Sequence, residues 1–157
     1  MKRTLIIILS ILGIVAGTYG LYTVVTNYNN TFENAELKSE PAQRMLSTLS
    51  ARSENRSGVV LLYKKGCPVC EKQDVAIIPE LEKLEKNGVG VSYIEVSKGV
   101  PENFKAYIND QEGVLKDFHV PYAIALSNRN KTNGNMNIAY SIRLDSKKNI
   151  ETFINKF

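Results

Sequence analysis

The two cysteines of this chain lie in one Cys-Pro-Val-Cys motif, which runs from Cys67 to Cys70. The motif follows residues 59–63, whose unbroken apolar run predicts a strand that is covered on both faces. The residues after it show the apolar spacing of a helix. A helix that begins at Cys67 would stabilise the thiolate of this residue through its dipole and its free backbone N–H groups. The pattern therefore favours a disulfide between Cys67 and Cys70 that forms and reopens.

Other uses of the two thiols fit the sequence less well. A structural disulfide across so short a loop would stabilise the fold only weakly. A zinc site takes about four ligands, and the chain offers no further cysteine and a single histidine, His119. Inert buried thiols do not suit the neighbouring Lys64, Lys65 and Gly66, which are typical of an exposed turn. We therefore expect redox chemistry that requires neither a metal nor an organic cofactor.

The N-terminal stretch predicts export of the domain. Residues 4–25 form 22 positions without a charged side chain, and about 20 residues suffice to span a membrane. Because Lys2 and Arg3 precede this stretch, the N-terminus should be cytoplasmic and the remainder extracytoplasmic. A cleaved signal peptide remains the alternative for residues 1–26, and it would export the domain equally. The Asn-, Lys- and Ile-rich composition favours a bacterial source.

Length and charge restrict what the exported part can be. We predict a polar, irregular stalk over residues 27–40 and one domain over residues 41–157, which is long enough to bury a core. Without Lys2 and Arg3, 18 of the 20 basic residues stand against 16 acidic ones. So small an excess argues against a nucleic-acid partner. Secreted domains that use cysteine for stability usually carry several pairs, so a single pair fits catalysis better.

The spacing of apolar and turn-forming residues predicts the element order α-β-α-β-α-β-β-α. Pro79 falls inside the helix that follows the motif and should kink or restart it. The Asn- and Gly-rich residues 127–137 indicate a turn. The predicted elements are a helix from residue 41, strand 59–63, a helix from the motif to residue 87, strand 89–96, a helix from residue 101 through Tyr107 and Ile108 with a further turn or two to residue 118, strands 122–126 and 138–144, and a last helix capped by Asp145 or Ser146.

This order resembles the thioredoxin-like family over roughly residues 43–157. The resemblance rests on the motif after the first buried strand and on Val120-Pro121 immediately before a later strand. It implies an α/β fold with a central mixed sheet flanked by helices. It further implies that Cys67 is the attacking thiol, that Cys70 is the resolving thiol, and that Pro121 is cis and packs against the disulfide.

The same resemblance assigns supporting roles. Pro68 and Val69 would tune the redox pair, and the backbone of Val120 with Pro121 would pair with an extended substrate segment. His119 could favour the Cys67 thiolate, or it could simply occupy a loop or lie half-buried against Phe118.

Departures from the family pattern point away from a cytoplasmic thioredoxin. Leu61 occupies the position where thioredoxins carry a buried Asp that shuttles a proton to the resolving thiol. The shuttle is then absent unless Glu95 replaces it. The nearer likenesses are exported disulfide oxidases with Val before the cis-proline and small accessory proteins associated with bacteriocin export.

The sequence thus predicts a membrane-anchored, extracytoplasmic thiol–disulfide oxidoreductase that acts on cysteines of exported proteins. The direction stays open, because an exported oxidase or isomerase and a reductase recharged by a membrane redox partner both suit the chain. A non-catalytic accessory module of a membrane secretion, bacteriocin-export or transfer system is the alternative, and a chaperone-like holdase is a third.

Overall fold

The computed structural model describes residues 31–51, 57–106, 108–109, 113–129 and 136–157, all of which belong to the unit Thr31–Phe157. The predicted anchor at residues 4–25 lies outside these ranges. Among the helices within them, none combines the length and apolar character needed to cross a membrane.

The described residues form helices and strands in an order that contains the predicted one, with one helix and one short strand added. In chain order the elements are α1 (Phe32–Lys38), α2 (Ala42–Ala51), β1 (Gly58–Tyr63), α3 (Pro68–Lys86), β2 (Gly90–Glu95), α4 (Glu102–Lys105), β3 (Ile108–Asn109), β4 (Tyr122–Arg129), β5 (Met136–Arg143) and α5 (Lys147–Ile154).

The strands form one mixed sheet in the order β2-β1-β4-β5-β3. Strand β1 pairs in parallel with β2 and antiparallel with β4, and β5 pairs antiparallel with β4 and in parallel with β3. Every residue of β1 is buried, as the apolar run predicts for a strand covered on both faces. The predicted central mixed sheet with flanking helices is therefore confirmed.

Each face of the sheet carries its own apolar cluster, because side chains alternate along a strand. Helices α1, α3 and α5 cover one face, and the buried residues there form the thiol-side cluster: Phe32, Val59, Leu61, Tyr63, Cys70, Ile77, Ile78, Leu81, Leu84, Val91, Tyr93, Ala123, Ala125, Leu144, Ile150 and Phe153. Helices α2 and α4 cover the other face, and the buried residues there form the far-side cluster: Met45, Leu46, Leu49, Val60, Leu62, Ile94, Val100, Phe104, Ile108, Leu115, Ile124, Leu126 and Met136.

The irregular stalk expected over residues 27–40 is wrong for its second half, which contains α1. The Thr31 side chain caps this helix by accepting a hydrogen bond from the Asn34 N–H at 3.3 Å. Phe32 is buried and stacks obliquely on Tyr63 and Tyr93, with ring centroids 5.5 and 6.3 Å apart. Phe32 therefore packs this segment against the domain, although its sequence is that of a polar linker.

Two further expectations differ from the structure. Helix α3 does not restart at Pro79 but continues to Lys86, because the buried residues Ile77, Ile78 and Leu81 hold both sides of the proline against the sheet. Ile108 lies in the short strand β3 instead of a helix, since pairing with Met136 extends the sheet edge there. The turn expected farther on is present, with the Lys116 N–H bonded to the Gly113 carbonyl at 2.9 Å.

The hairpin of β4 and β5 is longer than predicted and contains a bulge. Strand β4 runs on to Arg129, into the residues expected to form the turn. Ala125 pairs with Tyr140 while Leu126 pairs with Ile138, so that Ala139 is an extra residue in β5. As a result, Ile138 packs on the far-side cluster and Tyr140 on the thiol-side cluster, although a regular strand would place both on one face.

Candidate active site

The motif begins helix α3, with Cys67 as the N-cap residue and Pro68 in the first turn. Proline suits this position because its fixed φ is helical and its missing N–H would have no partner there. The Cys67 Sγ atom accepts a hydrogen bond from the Cys70 backbone N–H at 3.3 Å. The attacking thiol predicted from the sequence thus points to the positive end of the helix dipole, which favours its thiolate.

A tight turn connects β1 to this helix. The Cys67 N–H bonds to the Lys64 carbonyl at 3.3 Å, which closes the turn. Gly66 has a φ of +68°, a left-handed conformation that glycine adopts without the strain of a Cβ atom. Lys64 and Lys65 are exposed, as expected of a turn. The geometry leaves Cys67 partly accessible at the surface.

The two thiols have opposite acid–base character. Burial alone would raise the pKa of Cys67, but hydrogen bonds from the Cys70 side chain and from the backbone of Cys70 and Val69 outweigh it, and the net pKa is lowered. Cys70 is 2% exposed. Its burial, followed by its hydrogen bond to Cys67, raises the pKa of Cys70 to about 12. One thiol is therefore poised as a nucleophile and the other is held protonated.

The Val120–Pro121 peptide bond is cis, as predicted. Leu62 pairs with Tyr122, so Pro121 lies at the end of the sheet where β1 leads into the cysteine turn. Pro121 is buried, and its carbonyl accepts a hydrogen bond from the Leu144 N–H at 2.8 Å. Val120 and Cys67 are both partly buried and both pack on the thiol-side cluster. The fold thus brings the predicted substrate-pairing segment to the same end of the sheet as the motif.

The other residues singled out in the sequence are His119, Pro68, Val69 and Leu61. His119 is exposed and is not among the largest influences on the pKa of Cys67. Pro68 is exposed and Val69 is half-buried. The backbone of Val69 helps to lower the pKa of Cys67, whereas tuning of the redox pair by the side chains of Pro68 and Val69 stays a prediction. Leu61 is completely buried and leaves its position without an acid.

Glu95 is bound in a way that argues against a proton shuttle. Its carboxylate accepts hydrogen bonds from the backbone N–H groups of Lys65 and Ser97, at 3.2 and 2.9 Å, and from the Ser97 hydroxyl. Burial raises the pKa of Glu95, but these hydrogen bonds outweigh it and the net pKa is lowered. An ionised Glu95 therefore holds the turn that precedes Cys67.

Helix α1 adds contacts to this turn that the sequence did not predict. The Tyr63 hydroxyl donates a 2.6 Å hydrogen bond to the Glu36 carboxylate. The Lys65 ammonium lies 2.8 Å from the Glu33 carboxylate. Nothing in the local sequence pairs residues so far apart along the chain, so these contacts become visible only in the folded structure.

A buried acid was also missed. Asp74 is 7% exposed and lies on α3, one turn after Cys70. Its burial, with a smaller contribution from the neighbouring charge of Glu71, raises its pKa. A sequence signal for it exists, because Asp74 falls on the same helical stripe as Cys70, Ile77 and Leu81.

Comparison with solved structures supports the fold. The thioredoxin of Thermus thermophilus matches with a TM-score of 0.52 and 16% sequence identity, covering 77% of this chain and 84% of that chain. The thioredoxins of Plasmodium falciparum and Trichomonas vaginalis match at 17% and 16% identity, with TM-scores of 0.47 and 0.46. Each of these two covers 76% of this chain, and the matches span 84% and 93% of the respective thioredoxins. No family model and no curated protein matches the sequence. The first likeness establishes a thioredoxin-like fold for this chain.

Proposed function

We propose that this protein is a thiol–disulfide oxidoreductase that acts on cysteines of exported proteins. The observation that carries the proposal is the asymmetry of the two thiols at the start of α3. Cys67 is accessible, caps the helix and has a lowered pKa, whereas Cys70 is buried and has a pKa raised to about 12. Exchange between a dithiol and a disulfide needs one reactive thiolate and one protected resolving thiol, and this motif supplies both.

The proposed reaction proceeds through a mixed disulfide. The Cys67 thiolate attacks a substrate disulfide, forms one S–S bond and releases one substrate thiolate. Cys70, once deprotonated, attacks the Cys67 sulfur and releases the second substrate thiolate. The motif is then oxidised to the Cys67–Cys70 disulfide by two electrons, which reduce the substrate. The reverse sequence oxidises a substrate dithiol and restores the two protein thiols.

The direction proposed here is oxidation of substrates. Interactions that stabilise the Cys67 thiolate stabilise the dithiol form of the motif, and a stabilised dithiol makes the disulfide form a stronger oxidant. The equilibrium of the motif with glutathione measures this directly. A reduction potential near about −120 mV would support an oxidase, and one near about −270 mV would make the protein a reductant.

The proposed location is the outer side of a membrane, with residues 4–25 as anchor. This part of the proposal rests on the uncharged stretch after Lys2 and Arg3 and on the positive-inside rule. A reporter fused after Phe157 tests it. A reporter that is active only in the cytoplasm should be silent, and an active fusion would overturn the location.

Trapping of substrates tests the activity. The Cys70→Ala variant retains the attacking thiol but lacks the resolving one, so mixed disulfides with exported proteins should accumulate and dissolve on reduction. The matched control is the Cys67→Ser, Cys70→Ala double variant, which should trap nothing while folding normally.

Two results would count against catalysis. Cys70→Ala could trap no protein in cells, or the doubly substituted protein could still support the biological role of the wild type. Either result would favour the non-catalytic accessory module of a secretion or transfer system, which needs the surface of the domain but not its thiols.

A further inference from the structure

The chain between β5 and α5 is bonded both to the helix that carries the motif and to the cis-proline. Residues 143–145 form this connection, here called the β5–α5 corner. The Leu144 N–H donates to the Pro121 carbonyl at 2.8 Å. The Gln73 side chain on α3 donates from its Nε2 atom to the Asp145 carbonyl at 2.9 Å. The corner therefore joins α3 to the segment that contains the cis peptide bond.

Helix α5 holds the same corner from its first turn. The Asn149 Nδ2 group donates to the Arg143 carbonyl and to one oxygen of the Asp145 carboxylate, at 3.0 Å each. The Arg143 Nε atom lies 3.2 Å from the other oxygen of that carboxylate. Both the backbone and the side chains of the corner are thus bonded at once, and such a network makes a segment rigid.

The corner fixes the segment that is expected to receive the substrate. In the proposed exchange, the backbone of Val120 pairs with an extended substrate segment, and the substrate sulfur must meet Cys67 in line. Gln73 lies in the turn after Cys70 on a continuous helix, so it moves as one body with the two thiols. The bond from Gln73 to the corner and the bond from the corner to Pro121 together set the distance between the thiols and the pairing segment.

On the basis of the proposed exchange activity, we propose that Gln73 is a positioning residue for the step that forms the mixed disulfide. It holds the β5–α5 corner, and through it the cis-proline segment, where a paired substrate presents its sulfur to Cys67. In that step the Cys67 thiolate forms one S–S bond, the substrate S–S bond breaks, and a thiolate leaves. The amide of Gln73 keeps its protons throughout and touches no reacting atom.

A purely structural role for these hydrogen bonds predicts a different result. Bonds that only stabilise the fold would change the unfolding free energy and leave the folded site as it is. A positioning role predicts that a folded variant loses rate with a substrate that pairs with Val120 but keeps its rate with a reagent too small to pair. The ratio of these two rates therefore separates the two roles.

Two probes with the same leaving group measure this ratio. Dithionitrobenzoate has no peptide backbone. A short extended peptide with one central cysteine, prepared as its mixed disulfide with nitrothiobenzoate, has backbone on both sides of the sulfur. Attack by Cys67 on either probe releases nitrothiobenzoate, because the thiol of lower pKa leaves faster. The first release is followed by absorbance with the reduced protein.

The Gln73→Met variant keeps the length of the side chain and removes its N–H donor. Its rate with the peptide should fall about three- to tenfold, the range that corresponds to one hydrogen bond. Its rate with dithionitrobenzoate should equal that of the wild type. Gln73→Lys restores a donor of similar reach, so its peptide rate relative to its dithionitrobenzoate rate should return most of the way to the wild-type ratio.

A second variant acts on the corner from the other helix. Asn149→Asp removes the Nδ2 donor and places an acid in the first turn of α5, where negative charge stabilises a helix. Its peptide rate should nevertheless fall, with the dithionitrobenzoate rate unchanged. The matched control is Gln43→Met on α2, which removes the acceptor of a 3.1 Å hydrogen bond from Asn103 on the other face of the sheet. Both of its rates should stay at the wild-type value.

The outcomes separate this proposal from the proposed activity. An unchanged peptide rate in folded Gln73→Met or in Asn149→Asp, an equal fall with both probes, or an equal loss in Gln43→Met would each overturn the positioning role of Gln73. A wild-type protein that releases nitrothiobenzoate from both probes no faster than free cysteine does would overturn the proposed exchange activity itself.

Discussion

The two faces of the sheet are built from different kinds of side chain. The far-side cluster consists of aliphatic residues, methionines and Phe104. Ser92 pairs with the far-side residue Val60, and its buried hydroxyl donates a hydrogen bond to the Glu40 carbonyl at 2.9 Å. The thiol-side face instead holds Cys70 within its cluster, Asp74 on the helix that covers it, and Tyr63 bonded to Glu36. One face is a plain apolar core, and the other contains ionisable groups.

This difference indicates that one face mainly stabilises the domain and that the other carries the groups available for chemistry. Burial of apolar surface stabilises the fold without directional requirements. Buried ionisable groups stabilise it only when they are paired, and they destabilise it otherwise. Substitutions on the far side should therefore lower the unfolding free energy without changing the reactivity of the thiols. On the thiol side, some ionisable groups should raise the unfolding free energy and others should lower it. The following predictions test that division, from the largest expected effect to the smallest.

The largest loss is expected on the far side. Phe104 is 2% exposed, and replacing a buried Phe by Ala costs about 3–5 kcal/mol of unfolding free energy through lost burial and a residual cavity. Urea unfolding of Phe104→Ala measures this loss. Its Cys67 alkylation rate, followed against pH under folding conditions, should match the wild type.

The control for this prediction is Leu37→Ala. Leu37 is 84% exposed, and such surface changes stay within about 0.5 kcal/mol. A shifted alkylation profile in Phe104→Ala would contradict the division, because it would mean that packing on the far side sets the reactivity of Cys67.

A smaller loss is expected where α1 meets β1. The Tyr63 hydroxyl donates to the Glu36 carboxylate at 2.6 Å, and hydrogen bonds to charged groups contribute about 1.5–3 kcal/mol. Tyr63→Phe should lower the unfolding free energy by that amount, because it leaves the partly buried carboxylate without this donor. Thermal or urea unfolding measures the change.

Tyr122→Phe is the matched control, since the Tyr122 hydroxyl bonds to the neutral Ser141 hydroxyl at 3.1 Å. Neutral hydrogen bonds contribute about 0.5–1.5 kcal/mol, so this variant should lose less than Tyr63→Phe. Equal losses would show that the contact between α1 and β1 gains nothing from the charge of Glu36.

The sequence predicts the central strand and two of its flanking helices well, because these elements follow from apolar periodicity. The buried strand β1, the helix that begins at Cys67 and the last helix were all predicted in place, and of the two expected caps of the last helix, Asp145 or Ser146, the structure shows Ser146. The cis bond before Pro121 was predicted as well, from a family resemblance and not from local pattern.

What the sequence does not predict depends on contacts between distant segments. Helix α1 was missed because its burial relies on one aromatic residue, Phe32, that meets Tyr63 and Tyr93 only after folding. The sequence did not predict on which face of the sheet Ile138 lies, because a bulge in β5 interrupts the two-residue alternation of side chains. Asp74 was missed because acidic residues are seldom buried, although its place on an apolar helical stripe was a signal for burial.

The smallest and most diagnostic effect concerns the pH dependence of stability at Asp74. Burial raises the folded-state pKa of this carboxyl above its unfolded value, which is about 3.9. Between these two values the folded state binds more protons than the unfolded state, so stability falls as pH rises through this window.

Asp74→Asn lacks that titration. Its unfolding free energy relative to the wild type should therefore increase from about pH 4 upward and level off above the folded-state pKa. Any difference in packing adds a constant offset, which the slope does not contain. A flat difference for Asp74→Asn would mean that the charge of Asp74 costs the fold nothing, and the contrast between the two faces would then rest on Tyr63 and the cysteines alone.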